Sequence, residues 1–267
     1  MKRTMIFLAI SLAMVMPVKS AAWGRLGHST IAEIAERHLT KEAKANIEKY
    51  TGGASLASIS CWVDEVSGHP QYKEQLRGLH ASIADENCNS PIYVRAIYRN
   101  FHDGVTAVEV MRDMLKDYEE MPDSVVFTAI KCIVHAVGDF HCPQHIRHTA
   151  CQNQGYYQVM VNGKSIRYHS FWDSTLIQKV SGLKGSDYKE YADRLDTWKK
   201  CRIKKCTKGW AREWFEDAAR DVRPTINTVN DGDVIDDAWM QDHIGLAEQQ
   251  IRKAGYQLAK ALNEIFG

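Results

Sequence analysis

The chain has no C-x-x-C pair, no internal repeat and no low-complexity run, and past residue 22 no apolar stretch long enough to cross a membrane. Each absence excludes something. A cysteine-built zinc site uses closely spaced thiolate pairs, so the seven cysteines (Cys61, Cys88, Cys132, Cys142, Cys151, Cys201, Cys206) do not read as one. A membrane helix needs about 20 consecutive apolar residues, which leaves no candidate span. With no linker-like segment, one domain is the expectation. An excess of either charge is also missing: 34 basic against 33 acidic residues give a formal net charge of +1. Such a balance excludes a protein that clings to nucleic acid by bulk charge.

What the first 22 residues do have is the layout of a secretory signal peptide. Lys2 and Arg3 precede an apolar stretch over 5–18, broken by Ser11 and Pro17, and Ser20-Ala21-Ala22 supplies small residues for cleavage before Trp23. The expected mature domain is 23–267, exported to the periplasm or secreted. The signal takes with it three of the 34 basic residues (Lys2, Arg3, Lys19), leaving 31 against 33 acidic and a formal charge of −2. Bound divalent ions would raise the local potential, so the balance does not exclude a phosphate substrate. Export permits disulfides. Cys201 with Cys206, flanking a basic turn, is the easiest local pair, Cys142 with Cys151 is another, and Cys132 is expected to stay unpaired.

Helical periodicity dominates the rest. Helices are expected over 26–50, 56–66, 91–118 (opening on Pro91), 122–140, 171–179, 188–199, 210–221 and 237–266, with loops at 182–186 and 227–236. The clear β signal is at 156–168, where Tyr157, Val159 and Val161 alternate and Asn162-Gly163 marks a hairpin turn. The expected fold is mainly α, a single domain with one hairpin.

Two segments carry the chemistry. His135 precedes Asp139 by four residues, and His169 precedes Asp173 by four. On a helix that spacing puts both side chains on one face, one turn apart. Imidazole nitrogen and carboxylate oxygen suit zinc, so each pair is half of a metal site, and His145 lies between them. A lone His is more often a hydrogen-bonded residue than a ligand. Two His-x-x-x-Asp pairs with a His between them point to more than one metal ion and to hydrolysis of phosphate esters. Asp64 and His80 lie upstream, where spacing alone cannot join them to the site. A Trp23 amine freed by cleavage would have a pKa of about 8 and could chelate an ion with its own carbonyl, with His28 completing the shell.

Trp23-Gly24-Arg25-Leu26-Gly27-His28, Cys61-Trp62-Val63-Asp64-Glu65, Leu79-His80, Val134 to Asp139 with Pro143-Gln144-His145, and His169-Ser170-Phe171-Trp172-Asp173 together resemble the S1/P1 family of zinc-dependent nucleases. These are the fungal single-strand-specific nucleases, the plant bifunctional nucleases and their bacterial relatives. Gly255-Tyr256-Gln257-Leu258-Ala259 is similar to that family's last helix, so the resemblance covers the whole mature chain. It implies the helical zinc-hydrolase fold shared with phospholipase C, and three Zn2+. The first would be held by Asp64, His80, His135 and Asp139, the second by His145, His169 and Asp173. The third would take the Trp23 amine and carbonyl, His28 and Asp139, so that Asp139 bridges. Asp64 and Asp139 would act as ligands positioning a zinc-bound hydroxide. The implied reactions are cleavage of single-stranded RNA and DNA to 5′-phosphorylated products and removal of phosphate from 3′-nucleotides, by a monomer.

The pocket departs from the family pattern. Ser67 stands where the fungal enzymes have a basic residue near the phosphate, and Arg77 or Lys73 could substitute. Ala81 stands where they have a base-stacking aromatic; Tyr93, Tyr156 or Tyr157 could supply one, and Asp85 could serve as a base-recognising carboxylate. Stacking is worth about 1–3 kcal/mol per base. Two alternatives stay open: a zinc-dependent phospholipase C acting on phospholipid head groups, and an exported zinc-binding protein without turnover.

Overall fold

The computed structural model describes residues 23–90, 103–149 and 154–267. The expected signal peptide, Pro91, Tyr93 and Cys151 lie outside the described residues. The mainly α reading holds.

Where one helix is expected over 26–50 there are two, α1 (Arg25–Arg37) and α2 (Lys41–Thr51). Thr40 is extended and its hydroxyl accepts from the Ala43 N–H at 3.1 Å, capping a new helix. The apolar period ran through the break because both helices bury onto the same core. The segment 56–66 likewise divides, into α3 (Leu56–Ile59) and α4 (Trp62–Val66). A short α5 (Lys73–Leu76) and a 3-10 turn (Arg77–His80) lead to β1 (Ser82–Ala84).

The helix expected from Pro91 cannot be continuous. Asp103 is extended, and its carboxylate caps Thr106 N–H at 2.7 Å to start α6 (Gly104–Met114), which gives way to a 3-10 segment (Leu115–Glu120). α7 (Asp123–Asp139) opens after Pro122 as expected. β2 (Ile146–His148) pairs with β1 in parallel, a contact with no sequence signal because three-residue strands have no period to read.

The hairpin forms as β3 (Gln158–Val161) and β4 (Lys164–Arg167). Asn162 (φ 49°) and Gly163 (φ 75°) are both left-handed, as a type I′ turn requires. β5 (Val234–Ile235), inside the expected 227–236 loop, adds to β3 in parallel. Next come α8 (Tyr168–Ser170), a π turn (Phe171–Thr175) and α9 (Leu176–Ser181), then α10 (Tyr188–Leu195) and α11 (Lys200–Cys206). α12 (Ala211–Val222) and α13 (Asp237–Phe266) close the chain.

The Cys201–Cys206 pairing is not made. The basic turn between them is α11, five helical positions point about 140° apart, and both thiols are free, Cys206 donating to the Ile203 carbonyl at 3.2 Å. Cys142 is buried beside the candidate site, with its proposed partner outside the described residues.

α13 is the central support: it packs on α1, α2, α7 and α9. Trp23, Tyr168, Phe171, Trp172 and Trp214 are buried in the same core, each removing enough apolar surface to stabilise the fold by about 1.5–3 kcal/mol.

Candidate metal centre

His135 and Asp139 sit on the last turns of α7, fully buried. The His135 Nδ1–H donates to the Ser60 carbonyl at 3.1 Å, in the break between α3 and α4. That bond fixes the tautomer and turns Nε2 toward Asp139 Oδ2, 3.2 Å away. His80 brings Nδ1 to 3.3 Å from both Asp139 Oδ2 and His135 Nε2. Asp64, on α4, places Oδ1 3.5 Å from His80 Nδ1 and 3.7 Å from His135 Nε2. A tetrahedral zinc with ~2.0–2.1 Å arms has ligand-to-ligand edges of about 3.4 Å. The five distances, 3.2 to 3.7 Å, are those of such a tetrahedron.

The other Asp139 oxygen faces elsewhere. Oδ1 lies 3.2 Å from Nε2 of His28, on α1, whose ring stacks on His135 with centroids 4.5 Å apart. Gly138 permits this approach, since a Cβ there would meet His28 Nδ1 at 2.8 Å. Trp23, fully buried, precedes α1, and the Gly24 N–H donates to the Asp173 carbonyl at 2.6 Å, tying the start of the domain to the second ligand pair.

That second pair straddles the entry to the π turn. His169 Nε2 is 3.3 Å from Asp173 Oδ2 and 2.7 Å from His145 Nε2, which is 3.6 Å from Asp173 Oδ1. The His145 Nδ1–H donates to the His80 carbonyl, so a main-chain atom of one cluster orients a ring of the other. Sequence reading missed Cys142: its buried thiol donates to Asp173 Oδ1 at 3.5 Å and completes a compact group with His145 and Asp173. Burial and the Asp173 carboxylate hold that thiol well above its ordinary pKa, so it is a neutral donor.

Do these residues fit a cation? Both His28 ring nitrogens, Asp64 Oδ2, His80 Nε2 and both Asp139 oxygens are buried and make no hydrogen bond, although nitrogen and oxygen stand within 3.2–3.9 Å of each other. The atoms converge without donor geometry, as ligands around a point do. Among the described residues Asp64 and Asp139 ion-pair only with imidazoles. Burial alone would raise Asp139, but His135 and His145 hold it well below the usual carboxylate range. Burial lowers His28 and His145, and takes His169 down to about 4. Burial also opposes charging of His135, yet Asp139 and Asp64 outweigh it and raise that ring to about 9. His28, His145 and His169, held neutral beside an ionised Asp139, are in the form that binds metal, and a cation arriving at His135 would displace that ring's proton.

His80, His145 and His169 line one wall of a cleft of about 560 Å³. Ser67 and Ala81 line it too, the Ser67 hydroxyl donating to the Asp64 carbonyl at 2.9 Å. Among the described residues the lining holds no Asp, Glu or Lys, but it does hold Arg147, Arg167 and a buried His148 whose Nε2 is unpartnered. These three were missed because no motif marks them; the flanks of His145 and His169 were the only pointer. Tyr156, largely exposed, also lines the cleft, with the Arg167 guanidinium 5.4 Å from its ring. Asp85 is not among the residues lining the cleft: it is half-buried, and its carboxylate accepts from the Asn87 and Asn89 N–H groups at 2.8 Å in a local turn. Arg77 falls in the 3-10 turn before His80, and its side chain lies outside the description.

The family model described as S1/P1 Nuclease matches residues 23–267. The chain belongs to the S1/P1 nuclease family. It is 23% identical to Endonuclease 2 of Arabidopsis thaliana over 272 residues, covering 92% of this chain and 91% of that protein. Nuclease S1 of Aspergillus oryzae is 25% identical over 267 residues, covering 91% of each. Nuclease P1 of Penicillium citrinum is 26% identical over 269 residues, covering 92% of this chain and 98% of the relative. The whole domain takes part in the match, helical scaffold and ligand segments alike.

Proposed function

We propose that this family member is an exported zinc-dependent hydrolase that cleaves single-stranded RNA and DNA to 5′-phosphorylated products and removes phosphate from 3′-nucleotides. The observation that carries the reading is the two-sided Asp139 carboxylate, with one oxygen among Asp64, His80 and His135 and the other at His28. Three ions fit the donors: one at Asp64, His80, His135 and Asp139, one at His145, His169 and Asp173, and one at Asp139, His28 and the Trp23 main chain once its amine is free. Bound zinc supplies Lewis-acid chemistry, acidifying water and offsetting charge on a phosphate.

The chain's own residues do the rest. The Ser60 and His80 carbonyls hold the His135 and His145 tautomers, and the Cys142 thiol steadies Asp173. Among the described residues of the cleft lining, Arg147 and Arg167 are the charged side chains besides the histidines, answering the missing basic residue at Ser67. Guanidinium is suited to phosphate because its fork offers parallel donors. Tyr156 stands at the rim where a base would stack. The resemblance to nucleases over the full domain favours a nucleic acid over phospholipid head groups.

The test is to purify the mature protein, count metal by mass spectrometry, and assay single-stranded RNA, single-stranded DNA and 3′-AMP before and after chelation. Zinc near three per chain, with all three activities lost on chelation and restored by zinc, is expected. Hydrolysis that survives complete zinc removal would sink the proposal.

A further inference from the structure

Far from the ligand helices in sequence, residues 199–208 hold Lys199, Lys200, Arg202, Lys204, Lys205 and Lys208 with no acidic residue among them. In a chain of formal charge +1 this is a local concentration of one sign. All six are exposed, and among the described residues none forms an ion pair. They stand on and around α11, beside a cavity of about 390 Å³ whose wall includes Trp198, Arg202, Lys205, Lys208 and Trp214. The carboxylates in that wall are already engaged. Asp217 holds Lys253 and Arg220, and Glu213 accepts from the Trp210 N–H at 2.9 Å. Arg202 lies 3.9 Å over the Trp198 ring, and Trp198 in turn stacks on Tyr256 with centroids 5.6 Å apart. A guanidinium cation is thus held against the face of an indole.

We propose that this patch is a second nucleic-acid site, which grips the backbone of a single strand away from the metal centre and lets one base stack on the Arg202–Trp198 pair. The substrate class rests on the function proposed above. A row of free cations neutralises successive phosphates, and stacking on an aromatic-backed guanidinium accepts any base. A membrane surface is the poorer fit, because interfacial binding needs an apolar face and α11 contributes none of the exposed large apolar residues described.

The placement sets the consequence. Glu213 of α12 lines the patch and Val222 of the same helix lines the metal cleft. Nine positions are two and a half turns, so the two lie on opposite sides of α12. A 3′-nucleotide occupies the cleft alone, whereas a long strand wraps round to engage both, and its second contact becomes intramolecular. The site therefore separates polymer from monomer.

The test compares the zinc-loaded wild type with the triple variant Arg202→Gln, Lys205→Gln, Lys208→Gln, three exposed positions outside the metal cleft. On a labelled single-stranded RNA of about 30 nucleotides the variant should show a KM raised about tenfold at low salt, and a log–log salt slope shallower by about 0.7 per lost phosphate contact. On 3′-AMP its kcat/KM should match the wild type. An unchanged polymer KM and slope, or an equal loss on both substrates, overturns the proposal, as does tighter binding of wild type to vesicles rich in phosphatidylglycerol than to the RNA. Binding of the same RNA to chelated protein, read by fluorescence anisotropy, keeps the two ideas apart. A wild-type signal that the variant lacks supports the patch even if neither protein cleaves anything; equal signals from both overturn it whatever the activity.

Discussion

Asp139 divides one carboxylate between two clusters, and its neighbour decides whether it can. Gly138 leaves room for His28 to stack on His135 and meet Asp139 Oδ1. In Gly138→Ala the new methyl presses on His28 Nδ1, so the ion at His28 should be lost first. We expect zinc per chain to fall by about one and kcat to drop on the order of 10–100-fold, the scale of disturbed ligand support, with the helical circular-dichroism spectrum retained. Full zinc content and wild-type kcat would refute this. Arg147 and Arg167 belong to the same scale. Each is expected to give a charge-assisted bond worth about 1.5–3 kcal/mol, so either Arg→Ala change should raise KM for 3′-AMP tenfold or more. Steady-state kinetics at fixed zinc would check it. Among the proposed ligands, the helix-spaced pairs His135/Asp139 and His169/Asp173 were legible from spacing alone. His28 was legible as a companion to a freed Trp23 amine, whereas Asp64 and His80 were joined to the site only through resemblance, because no spacing links their separate elements to α7. Cys142 was read as half of a possible disulfide with Cys151 and not as a neighbour of Asp173, because nothing in its spacing points to that carboxylate.

Helices are where sequence reading succeeded, and their breaks are where it failed. Patterns over 26–50 and 56–66 run on through Thr40 and Ser60-Cys61, since apolar spacing reports burial and not continuity of the backbone. Yet the second break frees the Ser60 carbonyl for His135. The chemistry depends on the interruption. Similarly, the two-residue strand β5 was invisible, while the Asn162-Gly163 turn announced its hairpin. Among the elements α13 matters most, and its start rests on one side chain: Asp236 accepts from the Trp239 N–H at 2.8 Å. Asp236→Ala should cost about 1 kcal/mol, visible as a lower urea midpoint at constant m-value. No shift in midpoint would mean that packing alone fixes the end of this helix.

At the scale of the whole molecule, burial of histidine couples stability to pH. His141 is buried with its Nδ1–H donated to the Val137 carbonyl at 2.8 Å, and burial takes the ring down to about 4. Its unfolded value is about 6.5, so the unfolded chain binds the extra proton. The contribution is complete above pH 6.5 and declines as pH falls toward 4. Between pH 7 and 5 the wild type should lose about 2 kcal/mol more than His141→Gln, measured by urea unfolding of the zinc-loaded proteins. Equal losses would remove His141 as the cause.

The packing of α13 has a consequence in time. It follows in sequence every element it supports: it touches α1 and α7, which carry His28, His135 and Asp139, and α9, which continues the turn holding Asp173. A ribosome delivers those residues before their common support. Until residues 237–266 emerge, the helices that must converge have nothing in common to lean on. Contacts this distant in sequence form late. A chain cut short before Asp237 is therefore expected to carry His28, His135, Asp139 and Asp173 without the helix on which their elements pack.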